Sequence, residues 1–253
     1  MKTIHDIEYI PGTKILVRVD FNVPINNGVV TDDFRIRAAL PTLEYLSKKG
    51  AIVIAISHLE SNDGTNSSLA PVVQHFEKLG HHVTFVKEYK NLNAMIEARV
   101  EGSPHGAGHI FLLENLRFYE GEKANDASFA KELASLADLY VNDAFPVSHR
   151  EHASIVGIPQ FLPSYAGLQF EKEISHLSQA FNPSHPFVFV LGGAKFDTKL
   201  PLIERFSNVA DSIFLGGALG NDALLAKGIA VGASKVSNGK TDISHIVNKS
   251  NII

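Results

Sequence analysis

Cysteine is absent from all 253 residues, so the chain can build neither a disulfide framework nor a thiolate metal site. A reducing compartment suits such a chain. Basic excess is missing too: 23 Lys and Arg stand against 27 Asp and Glu, a formal net charge of −4. That balance gives no global electrostatic reason to hold nucleic acid or a membrane surface, so any anion site must be local. No run approaches the roughly 20 apolar residues of a membrane span, and the opening MKTIHDIEYI lacks the apolar stretch of a secretory signal. No short-period repeat or low-complexity tract interrupts the sequence. These absences predict a soluble, cytoplasmic protein. With 45% apolar side chains, its length suffices for one large domain or two ordinary ones.

What is present is a recurrence of short apolar runs, each followed by a stretch of helical period. KILVRVDF (14–21), AIVIAISHL (51–59), HHVTFVKE (81–88), GHIFLLENLRF (108–118) and LYVNDAF (139–145) are rich in Val, Ile and aromatics, and several are apolar on nearly every residue, as strands covered on both faces are. Helices are expected in IRAALPTLEYLSKKG, APVVQHFEKLG and ASFAKELASLAD. The first two end in lysine followed by Gly50 and Gly80, which are stop signals. Pro41 is tolerable only in a first turn, so the first helix is expected to begin near it or kink there. Strand and helix alternating in this way predict an α/β fold with a doubly wound parallel sheet. After the Pro- and Gly-bearing segment 157–167, SYAGLQFEKEISHLSQAF reads as one amphipathic helix. NPSHP (182–186) then precedes a second α/β unit: PFVFVLGGAKF, KLPLIERF, DSIFLGGAL and NDALLAKG. That unit reads as incomplete, and its closing HIVNKSNII as a strand-like pair without a neighbour. The expected layout is a first domain over 1–165, a connecting helix over 166–182 and a partial second domain over 183–253. A half sheet of this kind is expected to leave an apolar face and an open edge.

Ligands of open parallel sheets sit outside the carboxyl ends of the strands. The first strand delivers Asp20 and Asn22 there, and the second Ser57 and His58. The fourth delivers Glu114, Asn115 and Arg117, and the fifth Asn142 and Asp143, followed by His149, Arg150 and His152. Arg35 follows the turn TDD. Guanidinium groups bind carboxylate and phosphate in bidentate pairs, so arginines gathered on one rim suit a small polyanion. In the second unit the loop LGGAK couples two glycines, which let a phosphate approach the backbone, to the start of a helix. Lys195 and Lys199 would add point charges. Other motifs carry less. NGKT (238–241) has Ser234 where a phosphate-binding loop needs its first glycine, and no dinucleotide fingerprint follows the first strand. His149 and His152 have metal-ligand spacing but lie in a loop without thiolates, and are read as anion-binding or structural. His81 and His82 read as surface residues, and the sequons at Asn66 and Asn248 as without consequence.

Taken in order, VRVDFNVP (17–24), RIRAALPTL (35–43), SHL (57–59), LLENLRFYEGE (112–122), VNDAF and SHREHAS (141–145, 148–154), AGLQFEKEI (166–174) and LGGAKFDTKL (191–200) resemble phosphoglycerate kinase over essentially the whole chain. The resemblance implies a monomeric kinase of glycolysis with two Rossmann-like domains. Such an enzyme reversibly moves the acyl phosphate of 1,3-bisphosphoglycerate to MgADP, giving 3-phosphoglycerate and MgATP. It implies a triose site at Asp20, Asn22, Arg35, His58, Arg117 and Arg150, with Arg35 and Lys195 in catalytic roles. It implies nucleotide contacts from Gly193, Lys195, Lys199, Gly216 and Gly217. Mg²⁺ would accompany ATP or ADP, and the family's metal-binding Asp lies beyond Ile253, so none of its ligands is expected in this chain.

The sequence departs from the family in places. Where the family has Gly-Arg-Pro after Ser-His-Leu, this chain has Glu60, Ser61 and Asn62. One charge-assisted contact worth roughly 1.5–3 kcal/mol is absent, and Glu60 adds a like charge beside the anion. Pro146 and Val147 replace a glycine and its neighbour, and Ala218 replaces a third glycine. The family's nucleotide domain also continues past Ile253, which predicts a fragment of a longer product. A non-catalytic short form that binds 3-phosphoglycerate is the alternative.

Overall fold

A computed structural model describes residues 1–61, 63–100, 108–193, 199–237 and 243–253. The chain divides into two compact units, Met1–Ile174 and Ser175–Ile253.

In the first unit, β1 (Lys14–Arg18) leads through a small hairpin, β2 (Ile25–Asn26) and β3 (Val29–Val30), into α1 (Phe34–Lys48) and β4 (Ile52–Ile56). Then follow α2 (Ala70–Lys78), β5 (Val83–Val86), α3 (Leu92–Val100), β6 (Ile110–Leu113), α4 (Glu120–Lys123), α5 (Ala127–Ala134), β7 (Leu139–Asn142) and β8 (Ser164–Ala166). The helix α6 (Leu168–Gln179) begins in this unit and continues past its last residue, Ile174, into the second. Six strands form one sheet in the order β5-β6-β4-β1-β7-β8, every pair parallel. The unbroken apolar runs have a direct cause. Ile15, Val17, Val53 and Ala55 face one core with α1 and α2, and Leu16, Ile52, Ile54 and Ile56 face another with α5. With both faces covered, no strand position can be polar without a partner. Because β4 and β7 flank β1, the carboxyl ends of these three strands lie side by side.

Local structure departs from the sequence expectations at three points. Pro41 sits well inside α1, which runs from Phe34 without interruption to Lys48, so the helix starts a full two turns before the proline. Ser164–Ala166 is not helical but an edge strand, with Tyr140, Val141 and Asn142 of β7 opposite Ser164, Tyr165 and Ala166. The last residues are not without a neighbour either. Ile213 N–H donates to Asn251 O at 2.6 Å, and Ile253 N–H donates to Ile213 O at 2.8 Å, which lays them parallel to the strand that holds Ile213.

That strand belongs to the second unit, where β9 (Val188–Gly193), α7 (Leu200–Phe206), β10 (Ser212–Gly217), α8 (Ala218–Ala226) and α9 (Ser244–Val247) follow one another. β9 and β10 pair in parallel, with Gly192 opposite Gly216 and Gly193 opposite Gly217. Their inward residues Ile213 and Leu215 pack with Ile203, Phe206, Leu219 and Ile246. The outward Val190 and its cross-strand partner Phe214 are 69% and 51% exposed.

Candidate functional site

The carboxyl ends of β1 and β4 rest on a buried polar network. Arg18 ends β1 and is the largest fully buried side chain, so its guanidinium needs partners in place of water. Its Nε donates to Ser154 Oγ at 3.0 Å and its Nη1 to Val19 O, while its Nη2 meets His58 Nδ1 at 3.0 Å. The balancing charge is Glu122, also fully buried, which accepts from Ser154 N–H at 2.9 Å and Ser154 Oγ at 2.5 Å. Tyr140 Oη donates to Ser154 O at 2.6 Å. Ser154 lies in a π-helical turn, Ala153–Gly157, whose extra residue brings its hydroxyl between acid and base.

His58 is the ring this network holds. Arginine has no acceptor, so Nδ1 must carry the lone pair and Nε2 the proton. Burial pushes the imidazole pKa down to about 2, and the charges of Arg18, Arg117, Arg150 and His152 push in the same direction. Arg18 thus bonds the neutral ring directly, and Arg117, Arg150 and His152 act on it through space. His152 is itself depressed, by burial first and then by Arg117, Arg150 and Arg18, against the opposing pull of Glu122.

A second chain of contacts runs along the rim. Arg35 Nη1 donates to Asp20 Oδ2 at 3.0 Å and to Asn22 O at 3.0 Å. Asn22 N–H donates to Asp20 Oδ1 at 3.1 Å, and Asn22 Oδ1 accepts from Glu60 N–H at 2.9 Å. The Glu60 carboxylate bonds Arg117 Nη1, and Lys123 Nζ stands 3.9 Å from it. Arg117 is buried and its Nε has no hydrogen-bond partner among the described residues. Asp20, Asn22, Arg35, His58, Arg117 and Arg150 therefore fall into two linked sets, joined where Arg117 both bonds Glu60 and acts on His58. Arg35 lies at the open end of the series, its side chain 44% exposed.

Other rim residues serve the scaffold. Glu114 accepts from Leu69 N–H and Asn115 N–H. Asn115 Nδ2 donates to both Leu59 O and Ser67 O. Ser57 Oγ accepts from Phe21 N–H and donates to Val19 O. Asp143, also at a strand end, turns onto α6, where its Oδ1 accepts from Gln169 N–H at 2.9 Å and Phe170 N–H at 3.1 Å. Arg18, Glu122 and Ser154 escaped the sequence reading. The available signal was one arginine inside an otherwise apolar strand, which needs a buried acid somewhere in the chain.

In the second unit, Gly193 and Gly217 end β9 and β10 in register, and Gly217 has φ +62°, a conformation that favours glycine. A side chain on Gly216 would meet nothing within 4 Å, so open backbone lies at this edge. Lys199 precedes α7, and its Cε lies 3.9 Å from where a Cβ on Gly193 would stand. Lys195 and the NGKT segment lie outside the described residues. No helix among the described residues is long and apolar enough to cross a membrane.

The family model for phosphoglycerate kinase matches residues 4–251. The phosphoglycerate kinase of Dictyoglomus turgidum is 46% identical over 250 residues, which are 96% of this chain and 62% of that protein. That of Synechococcus elongatus is 45% identical over 249 residues, 96% of this chain and 60% of its own length. Among solved structures, phosphoglycerate kinase from Coxiella burnetii superposes with a TM-score of 0.77 at 33% identity, covering 93% of this chain and 59% of that one. The enzyme from Pyrococcus horikoshii OT3 gives 0.75 at 30% identity, covering 92% of this chain and 59% of that one. The chain thus spans about three-fifths of the length of the relatives it matches. Its strand order, its rim of arginines and these matches agree: the chain belongs to the phosphoglycerate kinase family.

Proposed function

We propose that the first unit binds 3-phosphoglycerate and 1,3-bisphosphoglycerate and that the second contributes nucleotide contacts. Together they would serve reversible phosphoryl transfer between 1,3-bisphosphoglycerate and ADP, in a monomeric cytoplasmic enzyme, with residues 166–182 as the connecting hinge. The observation that carries the reading is the convergence of Arg117, Arg150, Arg18 and His152 on the neutral ring of His58. Arg18 is balanced by Glu122 and Arg117 by Glu60, and a small polyanion is the ligand that suits the remaining donor capacity of Arg117 together with Arg150.

Phosphoryl transfer requires alignment and charge neutralisation more than a covalent step by the protein. Arg117 and Arg150 would hold the anionic ends of the triose, and His58 Nε2–H would donate one directional hydrogen bond. Asp20 and Asn22 keep Arg35 at the rim, where its guanidinium is free to turn toward a transferring phosphoryl group. Lys195 and Lys199 would neutralise nucleotide phosphates, and Gly193, Gly216 and Gly217 would contact the nucleotide, with open space above Gly216. Mg²⁺ would enter on the nucleotide phosphates; among the described residues no three His, Asp or Glu side chains are grouped to hold an ion by themselves.

Calorimetric titration with 3-phosphoglycerate tests the reading. Wild type is expected to bind, and Arg150→Ala to bind at least about tenfold more weakly, the scale of one lost charge-assisted contact. Absence of wild-type binding would refute the triose site. ³¹P NMR of the chain with 3-phosphoglycerate and MgATP separates a kinase, which forms ADP, from a binding module, which does not.

A further inference from the structure

The structure gives Glu60 a partner that an anionic ligand would need, the guanidinium of Arg117. We propose that Glu60 is a built-in competitor for the anion site, its carboxylate holding Arg117 until a phosphorylated ligand displaces it. The inference rests on the reading of the first unit as a triose site.

Three observations carry it. First, Arg117 is under-used. Its side chain is 3% exposed, one nitrogen bonds Glu60, and its Nε is buried with no partner among the described residues. A guanidinium offers five N–H donors in a fork that matches a bidentate anion. A single carboxylate reaching it sideways leaves that capacity open. Second, the root of Glu60 is fixed. Its N–H donates to Asn22 Oδ1 at 2.9 Å, it forms an antiparallel bridge with Asn66, and Asn115 Nδ2 holds the preceding carbonyl of Leu59 at 2.6 Å. The carboxylate is therefore delivered to Arg117 by the fold and competes intramolecularly, at a high effective concentration. Third, Glu60 has somewhere to go. Its side chain is 29% exposed and Lys123 Nζ lies 3.9 Å from Oε1, so on leaving Arg117 it can turn toward solvent and this lysine without being stranded.

The pair holds Arg117 in place and compensates its buried charge when no ligand is bound, and the same pairing opposes every ligand that needs this guanidinium. Removing the charge of Glu60 should accordingly weaken the empty protein and strengthen the complex. A residue with a merely structural role would move both in the same direction.

The test is titration calorimetry of the full chain with 3-phosphoglycerate, together with thermal unfolding with and without it. Glu60→Gln is expected to bind at least tenfold more tightly than wild type while unfolding at a lower temperature when unliganded. Equal or weaker binding by this variant, with wild type still binding, overturns the role of Glu60 and leaves the triose site standing. Failure of both proteins to bind overturns the triose site and the inference with it. Should Glu60→Gln not fold, Glu60→Asp keeps the charge one methylene short of Arg117. It should bind a few-fold more tightly than wild type, and no gain would count against the proposal.

Discussion

His58 joins the two halves of the site, and its protonation state follows from its neighbours. Charging it would place a cation beside Arg18, Arg117 and Arg150 in a region closed to water, which is why its pKa falls to about 2. A depressed histidine contributes stability that is fully present above the unfolded value of about 6.5. That contribution is lost as pH falls toward 2, because the unfolded chain takes up the proton first. Nitrogen-detected NMR should therefore show the His58 ring neutral, with the proton on Nε2, from pH 8 down to pH 4 or until the fold fails. A midpoint near 6.5 in the folded protein would mean that the arginines do not face it. His58 was legible in the sequence because it follows a buried strand at the ligand edge. Arg18 was not, because nothing in KILVRVDF marks which charged residue turns inward. Glu122, distant in sequence, becomes its counterweight only once β7 and the π-helical turn bring Ser154 between them.

Elements are joined to one another by similar buried groups, and the junction of β7 with α6 turns on Asp143. Two first-turn amides of α6 donate to its Oδ1, and the helix N-terminus favours its negative charge. Burial outweighs these and the neighbouring Thr42 hydroxyl, which also favours the ionised form: the carboxyl is 2% exposed and its pKa rises to about 6. A raised carboxyl contributes stability that is present below the unfolded value of 3.8 and lost as pH climbs through 6. The span corresponds to up to about 3 kcal/mol at about 1.4 kcal/mol per pH unit. Asp143→Asn keeps an acceptor for the two amides without the charge. Urea titrations should show the stability of wild type relative to this variant falling between pH 4 and pH 6 and level above 7. A difference that stays flat would show that the helix dipole and the two hydrogen bonds cancel the cost of burial. Gly167 is tied to the same carboxylate, since a Cβ there would lie 2.3 Å from Asp143 Oδ1. At this scale the sequence revealed the parallel strands, through their unbroken apolar runs, and the helix stops at Gly50 and Gly80. It did not reveal β8, whose three residues share one apolar pattern with the helix after them. Only the carboxylate cap and the glycine separate the two. Pro41 misled for a related reason: its cost inside a helix is real, but α1 buries Ile36, Leu43 and Leu46 on either side of it, and packing outweighs one lost hydrogen bond.

For the molecule as a whole, the net charge of −4 leaves the anion site as a local inversion of sign and gives little general protection against association. The weak point is in the second unit. Val188, Val190 and Phe214 alternate with inward residues along β9 and β10, and they are 58%, 69% and 51% exposed on one face. The residues around Ile252 pair with the free side of β10, while among the described residues β9 pairs with β10 alone, so the hazard combines the apolar face with the open edge of β9. Contiguous exposed apolar surface of this kind drives association without a defined geometry. Charges placed on outward strand positions oppose it without touching the core. Val190 and Phe214 are cross-strand partners, so the double variant Val190→Lys, Phe214→Lys would set two like charges opposite each other. Like pairs in register repel, and Val190→Lys with Phe214→Glu avoids that. In light scattering during slow heating, this second variant should begin to aggregate at a higher temperature than wild type. Its binding of 3-phosphoglycerate should be unchanged, since every residue assigned to the triose lies in the first unit. Unaltered scattering would locate the association elsewhere, and a loss of triose binding would show that the two units do not act independently.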